Sequence, residues 1–203
     1  MWEIVDLFKT PVYGDFLKLN NSEIASYFYK LKKKSKARNR SNLGGWQSED
    51  LKRHLIIENL CEAIESHSNR YAQKIGLKPL QLSNLWFNIN NYKDTNIIHN
   101  HPNAILSGVY YVKVPKNGGD ICFLHPCYDV FAHDWNDDMI TNLNKHTSAR
   151  WIIKSVDSKL LIFPSWLNHY VQPNLNKKEE RISVSFNLVL KGSHRASEFY
   201  DKS

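Results

Sequence analysis

The chain has 203 residues, 42% hydrophobic and 12% aromatic, which suits one cored domain and excludes a wholly disordered chain. Lysine and arginine outnumber aspartate and glutamate by 27 to 20, and the formal charge of +7 permits an anionic partner without naming one. The three cysteines, Cys61, Cys122 and Cys127, include no CxxC pair, which argues against a disulfide framework or a cysteine zinc site and fits reduced thiols.

In chain order, the opening MWEIVDLFKTPVYGD carries Glu3 and Asp6 and lacks the basic start and apolar run of a secretory signal. No later stretch approaches the roughly 20 apolar residues of a membrane span, so a cytoplasmic protein without a membrane partner is expected. Asn21 or Ser22 is placed to cap a helix through IASYFYKLKKKS, with Ile24, Tyr27, Phe28 and Leu31 on one side. A basic run from Lys32 to Arg40 follows, then the loop SNLGGWQ. Ser48, with Glu49 and Asp50 in the first turn, suggests the start of a second helix. Leu51, Leu55, Leu60, Ile64, Tyr71 and Ile75 would form its apolar stripe, and Gly76 and Pro79 its stop.

From Leu80 the period falls to two. LSNLWFNIN, AILSGVYYVKV, DICFL, WIIKSV, KLLIFP and RISVSFNLVL are short runs rich in β-branched and aromatic residues, mostly separated by turn residues. Helices followed by many short strands predict a mainly β fold with N-terminal helices and a jelly-roll, cupin-like core. The expected organisation is one domain over 1–203: a helical support over 1–79 and the core over 80–191, with a polar and aromatic insert at 125–149.

The chemistry concentrates in three places. NIIHNHPNA sets His99 and His101 two residues apart, so in extended backbone both rings project to one side. His169, far along the chain in FPSWLNHYV, supplies a third imidazole. Neutral imidazole suits iron, zinc, copper and nickel alike, so ligand type leaves the metal open. RISVSFNL alternates strictly, with Arg181, Ser183, Ser185 and Asn187 on one face. If that face looks inward, Arg181 presents a planar fork suited to a carboxylate, with the Ser183 hydroxyl beside it. Asn88 and Asn90, on an earlier strand, are further candidate donors to such a ligand, or simply polar strand positions. His125, His133 and Trp135 in the insert read as surface residues before pocket residues.

These motifs resemble, in order, those of the 2-oxoglutarate–iron(II) oxygenases. HNHPNAILSGVYYV looks like the metal-binding segment of the prolyl-hydroxylase type, GGDICF like the strand after it, LLIFPSWLNHYVQP like the strand and turn before the distal histidine. ERISVSFNL resembles the cosubstrate strand, and SNLGGWQSEDL points to a bacterial and phage subfamily; the resemblance spans roughly Ser41 to Lys191. It implies a double-stranded β-helix, with Fe(2+) held by His99, His101 and His169. It further implies 2-oxoglutarate bound by Arg181, Ser183 and Tyr111, with Asn88 a candidate from its strand position alone, and hydroxylation of a small molecule or amino-acid side chain. Succinate and CO2 would be the coproducts. Tyr111 serves equally well as a core aromatic. His101 stands where the family has aspartate or glutamate, so it either ligates directly or hydrogen-bonds a metal-bound water.

Two rival readings remain at this level. Three histidines also describe a catalytic zinc site of a cupin-like enzyme, which leaves Arg181 and Ser183 without a task. Alternatively Lys32, Lys33, Lys34, Lys36, Arg38 and Arg40, with Tyr27, Tyr29 and Trp46, would make a basic nucleic-acid-binding module, although no recognised motif supports one.

Overall fold

The computed structural model describes residues 2–135 and 138–193; Met1, residues 194–203 and two positions of the expected insert, Asn136 and Asp137, lie outside it. The elements run β1 (Tyr13–Phe16), α1 (Asn21–Lys32), β2 (Asn42–Leu43), β3 (Trp46–Gln47), α2 (Leu55–Lys74) and β4 (Leu80–Asn90). They continue β5 (Thr95–His99), β6 (Leu106–Lys113), β7 (Ile121–Leu124) and α3 (Tyr128–Asp134). Last come β8 (Arg150–Ile153), β9 (Lys159–Pro164), β10 (His169–Val171) and β11 (Arg181–Leu190). The strands form two antiparallel sheets, a six-stranded one ordered β1-β9-β6-β11-β4-β3 and a five-stranded one ordered β2-β5-β10-β7-β8. This is the expected mainly β, jelly-roll architecture.

The larger sheet shows why alternation matters. From β11, Ile182, Val184, Phe186 and Leu188 point at helices α1 and α2 and join Phe28, Ile57, Leu60 and Ile64 in the main core. Phe28 is fully buried and stacks on Phe87 of β4 at 4.1 Å between centroids, a pairing that contributes about 0.5–1.5 kcal/mol beyond burial. The other face, bearing Arg181, Ser183, Ser185 and Asn187, looks at the smaller sheet. A second core of Val109, Tyr111, Ile121, Phe123, Leu161, Phe163 and Leu167 lies between the sheets. Polar residues therefore face inward where a cavity interrupts that core or where, as for Ser107 with Ser165 and Asn187, they bond one another.

The helical support differs from expectation in detail. Asn20 caps α1, its side chain accepting from the Glu23 amide. The second helix begins at Leu55 and not after Ser48, with the His54 ring accepting from the Ile56 amide. Ser48 is instead buried beside β4: its amide donates to the Phe87 carbonyl at 3.0 Å, and its hydroxyl accepts from the Phe87 amide at 3.0 Å. Leu51 likewise donates to the Leu85 carbonyl at 2.7 Å, and Leu55 is left 88% exposed. Tertiary pairing outcompetes a good local capping signal. The SNLGGWQ loop contains β2 and β3, which belong to different sheets. Gly44 and Gly45, at φ +72° and +71°, turn the chain from one sheet to the other, a conformation costly for any side-chain-bearing residue.

Candidate metal centre

His99 ends β5 and His169 begins β10, and the two are cross-strand partners in the smaller sheet. Their rings lie 4.3 Å apart between centroids. His101 does not continue the strand as its two-residue spacing suggested. β5 stops at His99, and the His101 amide is drawn to the Ser165 carbonyl at 2.9 Å, which swings its ring back over the other two. One ligand atom from each of the three lies within 4.8 Å of the others.

Backbone carbonyls fix two of the tautomers. His99 Nδ1 is 2.8 Å from the Ile97 carbonyl, and His169 Nδ1 is 2.9 Å from the Leu167 carbonyl. A carbonyl only accepts, so Nδ1 carries the hydrogen in both rings and each Nε2 keeps its lone pair. His101 Nε2 and His169 Nε2 are 3.4 Å apart. Two nitrogens bound at about 2.1 Å to one ion stand about 3.0–3.4 Å apart for right-angled to tetrahedral ligands, so the spacing suits a shared cation. Burial lowers the pKa of all three rings, that of His101 to about 4 and that of His169 well below its ordinary value. Proximity of His99 adds to the effect on both His101 and His169. The imidazoles are held neutral, the form that ligates a metal. Phe123 and Phe163 wall His169, and Trp86 stacks on His101 at 5.8 Å.

From the histidines a cavity of about 490 Å³, its open mouth included, extends between the sheets to Arg181. Here the inner face of the larger sheet forms a polar row across three strands, for Ser183 of β11 pairs with Asn88 of β4 and Tyr111 of β6. Arg181 is 1% exposed, and none of the ion pairs among the described residues involves it. Its Nη1 donates to the backbone carbonyls of Gly118, Gly119 (3.3 Å) and Gln172 (3.2 Å). Those bonds orient the guanidinium but bring no negative charge. Asp120 and Asp94 act on it through space, but neither pairs with it directly, and an anionic ligand relieves the remaining cost of burying the cation. The Tyr111 hydroxyl and Asn88 Oδ1 are also buried without a hydrogen-bond partner. Tyr111 and Ser155 hydroxyls are neighbours that do not reach bonding geometry.

Of the metal-ligand and cosubstrate candidates from the sequence, His99, His101, His169, Arg181, Ser183, Tyr111 and Asn88 line this one cavity, and Asn90 does not. Asn90 sits opposite Arg181 in register, buried, with its Oδ1 unpartnered. His125, His133 and Trp135 do not line it: His125 stacks on Phe131 at 4.3 Å, and His133 sits beside Asp134 at the surface. Sequence reasoning passed over Trp86, and over Gly118 and Gly119 as anything but turn residues. A Cβ on Gly119, at φ +87°, would stand 2.7 Å from Arg181 Nη1. The signal for Trp86 was available, since it alternates onto the Asn88 face of β4.

Comparison with known proteins follows the same lines. The family model "Putative 2OG-Fe(II) oxygenase" matches residues 84–187, just over half of the chain. Among solved structures, a prolyl-4-hydroxylase from Pseudomonas putida superposes with TM-score 0.59 at 15% identity, covering 92% of this chain and 96% of that one. HygX from Streptomyces hygroscopicus, solved with nickel and 2-oxoglutarate bound, gives TM-score 0.60 at 11% identity over 90% and 84% of the two chains. A Trichoplax adhaerens prolyl hydroxylase, in complex with a hypoxia inducible factor peptide fragment, gives 0.63 at 13% identity over 88% and 82%. At such identities the likeness shows a shared fold. No curated protein sequence matches the chain.

Proposed function

The chain belongs to the 2-oxoglutarate–iron(II) oxygenases, and from that membership we propose that it is a hydroxylase whose iron(II) is held by His99, His101 and His169. Arg181 anchors the far carboxylate of 2-oxoglutarate, assisted by Ser183, Tyr111 and Asn88. The observation that carries this reading is one cavity with three neutral imidazoles at one side and a buried arginine without a counter-ion at the other. A diacid with a keto acid end answers both needs, whereas a plain three-histidine zinc site leaves Arg181 without a direct ion-pair partner. When bound, iron(II) with 2-oxoglutarate and dioxygen supplies the oxidant for a C–H bond, and 2-oxoglutarate leaves as succinate and CO2.

The protein's own groups bind, orient and exclude water. The Ile97 and Leu167 carbonyls hold two of the three imidazoles with their lone pairs free to ligate. Gly118, Gly119 and Gln172 hold the guanidinium, which meets a carboxylate by charge-assisted hydrogen bonds. The Tyr111 hydroxyl has a proton to donate and no partner inside the protein. Asn88 Nδ2 donates to the Ser185 hydroxyl at 3.2 Å; a half-turn of that amide lets Ser185 donate to Oδ1 and turns the NH2 to the diacid. Phe163 and Phe123 shield His169 from bulk water. The substrate is a small molecule or an amino-acid side chain, and the N-terminal helices are a support within the same domain.

The test is succinate release from 2-oxoglutarate by protein purified without oxygen and supplied with iron(II). The reading expects succinate that depends on iron and oxygen and disappears with a chelator. Turnover of some other substrate with zinc, and none with iron, would replace it by the zinc reading.

A further inference from the structure

The polar cavity is not the only space that touches the histidines. A second, open cleft shares Ser41, Trp86, His99 and His101 with it and lies at the other end of the larger sheet's inner face, beside Asn84 and Asn187. With 2-oxoglutarate drawn toward Arg181, this cleft is the remaining approach to the metal. Its wall is the end of the basic run, Arg38, Asn39 and Arg40.

Charge is distributed unevenly along this chain. From Lys30 to Arg40 there are seven basic residues and no acidic one. The rest of the chain then carries 27 − 7 = 20 basic and 20 acidic residues, so the whole formal excess of +7 resides in that one segment. The segment is fastened where it meets the cleft: the Arg38 amide donates to the Gln47 carbonyl at 2.9 Å, and the Arg40 amide to Asn42 Oδ1 at 2.8 Å. Asp50, the one carboxylate lining the cleft among the described residues, is already compensated. It lies 3.8 Å from the Arg38 guanidinium and accepts from Asn84 Nδ2 at 3.3 Å. Arg40 has no ion pair among the described residues, and it is exposed on the cleft wall.

We propose that the substrate carries an acid group, a carboxylate or a phosphate, that Arg40 receives in this cleft, with the oxidised carbon placed beside Trp86 and the histidines. The proposal rests on the oxygenase reading of the cavity. A positive segment beside the mouth attracts anions over roughly a Debye length and concentrates them there. A nucleic acid is the less favoured owner of the same charge, because the aromatic side chains that reading would use are engaged. Tyr29 donates to Glu180 at 2.5 Å, Tyr27 stacks on His54 at 4.7 Å, and Trp46 packs on Phe87 at 4.9 Å. No base-stacking platform is left among those three.

The experiment uses protein loaded with zinc, which is redox-inert and diamagnetic, and saturated with 2-oxoglutarate. The Trp86 indole N–H is followed by NMR, assigned by its disappearance in Trp86→Phe. Four probes are titrated as acid and neutral pairs, propionate against propionamide and ethyl phosphate against ethanol; an oligothymidylate is the fifth. At least one acid should shift the Trp86 signal saturably, with affinity about twofold to fivefold above its neutral partner, the scale of a solvent-exposed charge pair. Which acid does so tells carboxylate from phosphate. Arg40→Glu, and more mildly Arg40→Gln, should abolish the preference while leaving 2-oxoglutarate affinity on the same sample unchanged. Equal response to acids and neutral partners, no response to any probe, or response to the oligothymidylate alone overturns the proposal. Failure of 2-oxoglutarate to bind in the first step sinks the oxygenase reading instead, and the acid preference is still read out.

Discussion

Replacing Arg181 separates a 2-oxoglutarate site from a generic metal cavity. Its guanidinium is 1% exposed and holds three backbone carbonyls through Nη1. Arg181→Met removes the charge at little cost in volume. Two effects on folding then oppose each other. Carbonyls left without a donor cost about 1–3 kcal/mol each, while deleting a buried cation without a counter-ion returns several kcal/mol of desolvation. Stability should therefore move little, with Tm staying within about 8 °C of the parent, since each kcal/mol is about 2–4 °C for a chain of this size. Ligand binding has no such compensation. Loss of a buried charge-assisted pair costs about 2–5 kcal/mol, or roughly 30-fold to several thousand-fold in affinity. Anaerobic calorimetry of 2-oxoglutarate binding to the manganese-loaded protein measures this, with metal content determined in parallel. Arg181→Lys keeps the charge but not the fork and should fall between. Parental affinity in Arg181→Met, in a folded and metal-replete sample, would refute the assignment.

Further outcomes follow from the same geometry. His169→Ala should weaken metal binding more than about 100-fold, beyond what loss of a supporting contact costs, as read by competition with a chromophoric chelator. His101→Ala should reduce metal occupancy while sparing the fold, and full occupancy with full turnover would make His101 a residue outside the ligand set. Gly119→Ala puts a methyl group 2.7 Å from Arg181 Nη1 at a φ of +87°. It should weaken 2-oxoglutarate about tenfold, given about 1–3 kcal/mol of strain. Phe28→Ala, which opens the core beneath the helices, should lower stability by about 3–5 kcal/mol in denaturant unfolding. It should leave metal affinity nearly unchanged, because Phe28 packs on the face of the larger sheet away from the cavity.

What was legible beforehand was whatever the chain writes with a short period or a rigid residue type. RISVSFNLVL and KLLIFP become β11 and β9 with the same ends as those runs, and the Arg181–Asn187 face does look inward, because a one-residue slip would turn the buried set outward. What was illegible depended on partners far along the chain. Ser48 carries a good capping signal, yet its hydroxyl and amide are claimed by Phe87, a strand away. β2 and β3 have two residues each and exist only because β5 and β4 supply their hydrogen bonds. His101 reaches the cluster through a turn fastened to Ser165 and not through strand alternation. Nothing local to Arg38 and Arg40 announces that their segment ends at the histidines. Position in a tertiary cleft has no sequence period.

The most direct test of the central claim is a crystal structure of the protein grown without oxygen in the presence of manganese(II) and 2-oxoglutarate. The account expects one metal ion with His99, His101 and His169 Nε2 each at about 2.0–2.3 Å. It also expects the far carboxylate of the diacid on the Arg181 guanidinium. A metal bound elsewhere, or a diacid whose carboxylate lies away from Arg181, would contradict it.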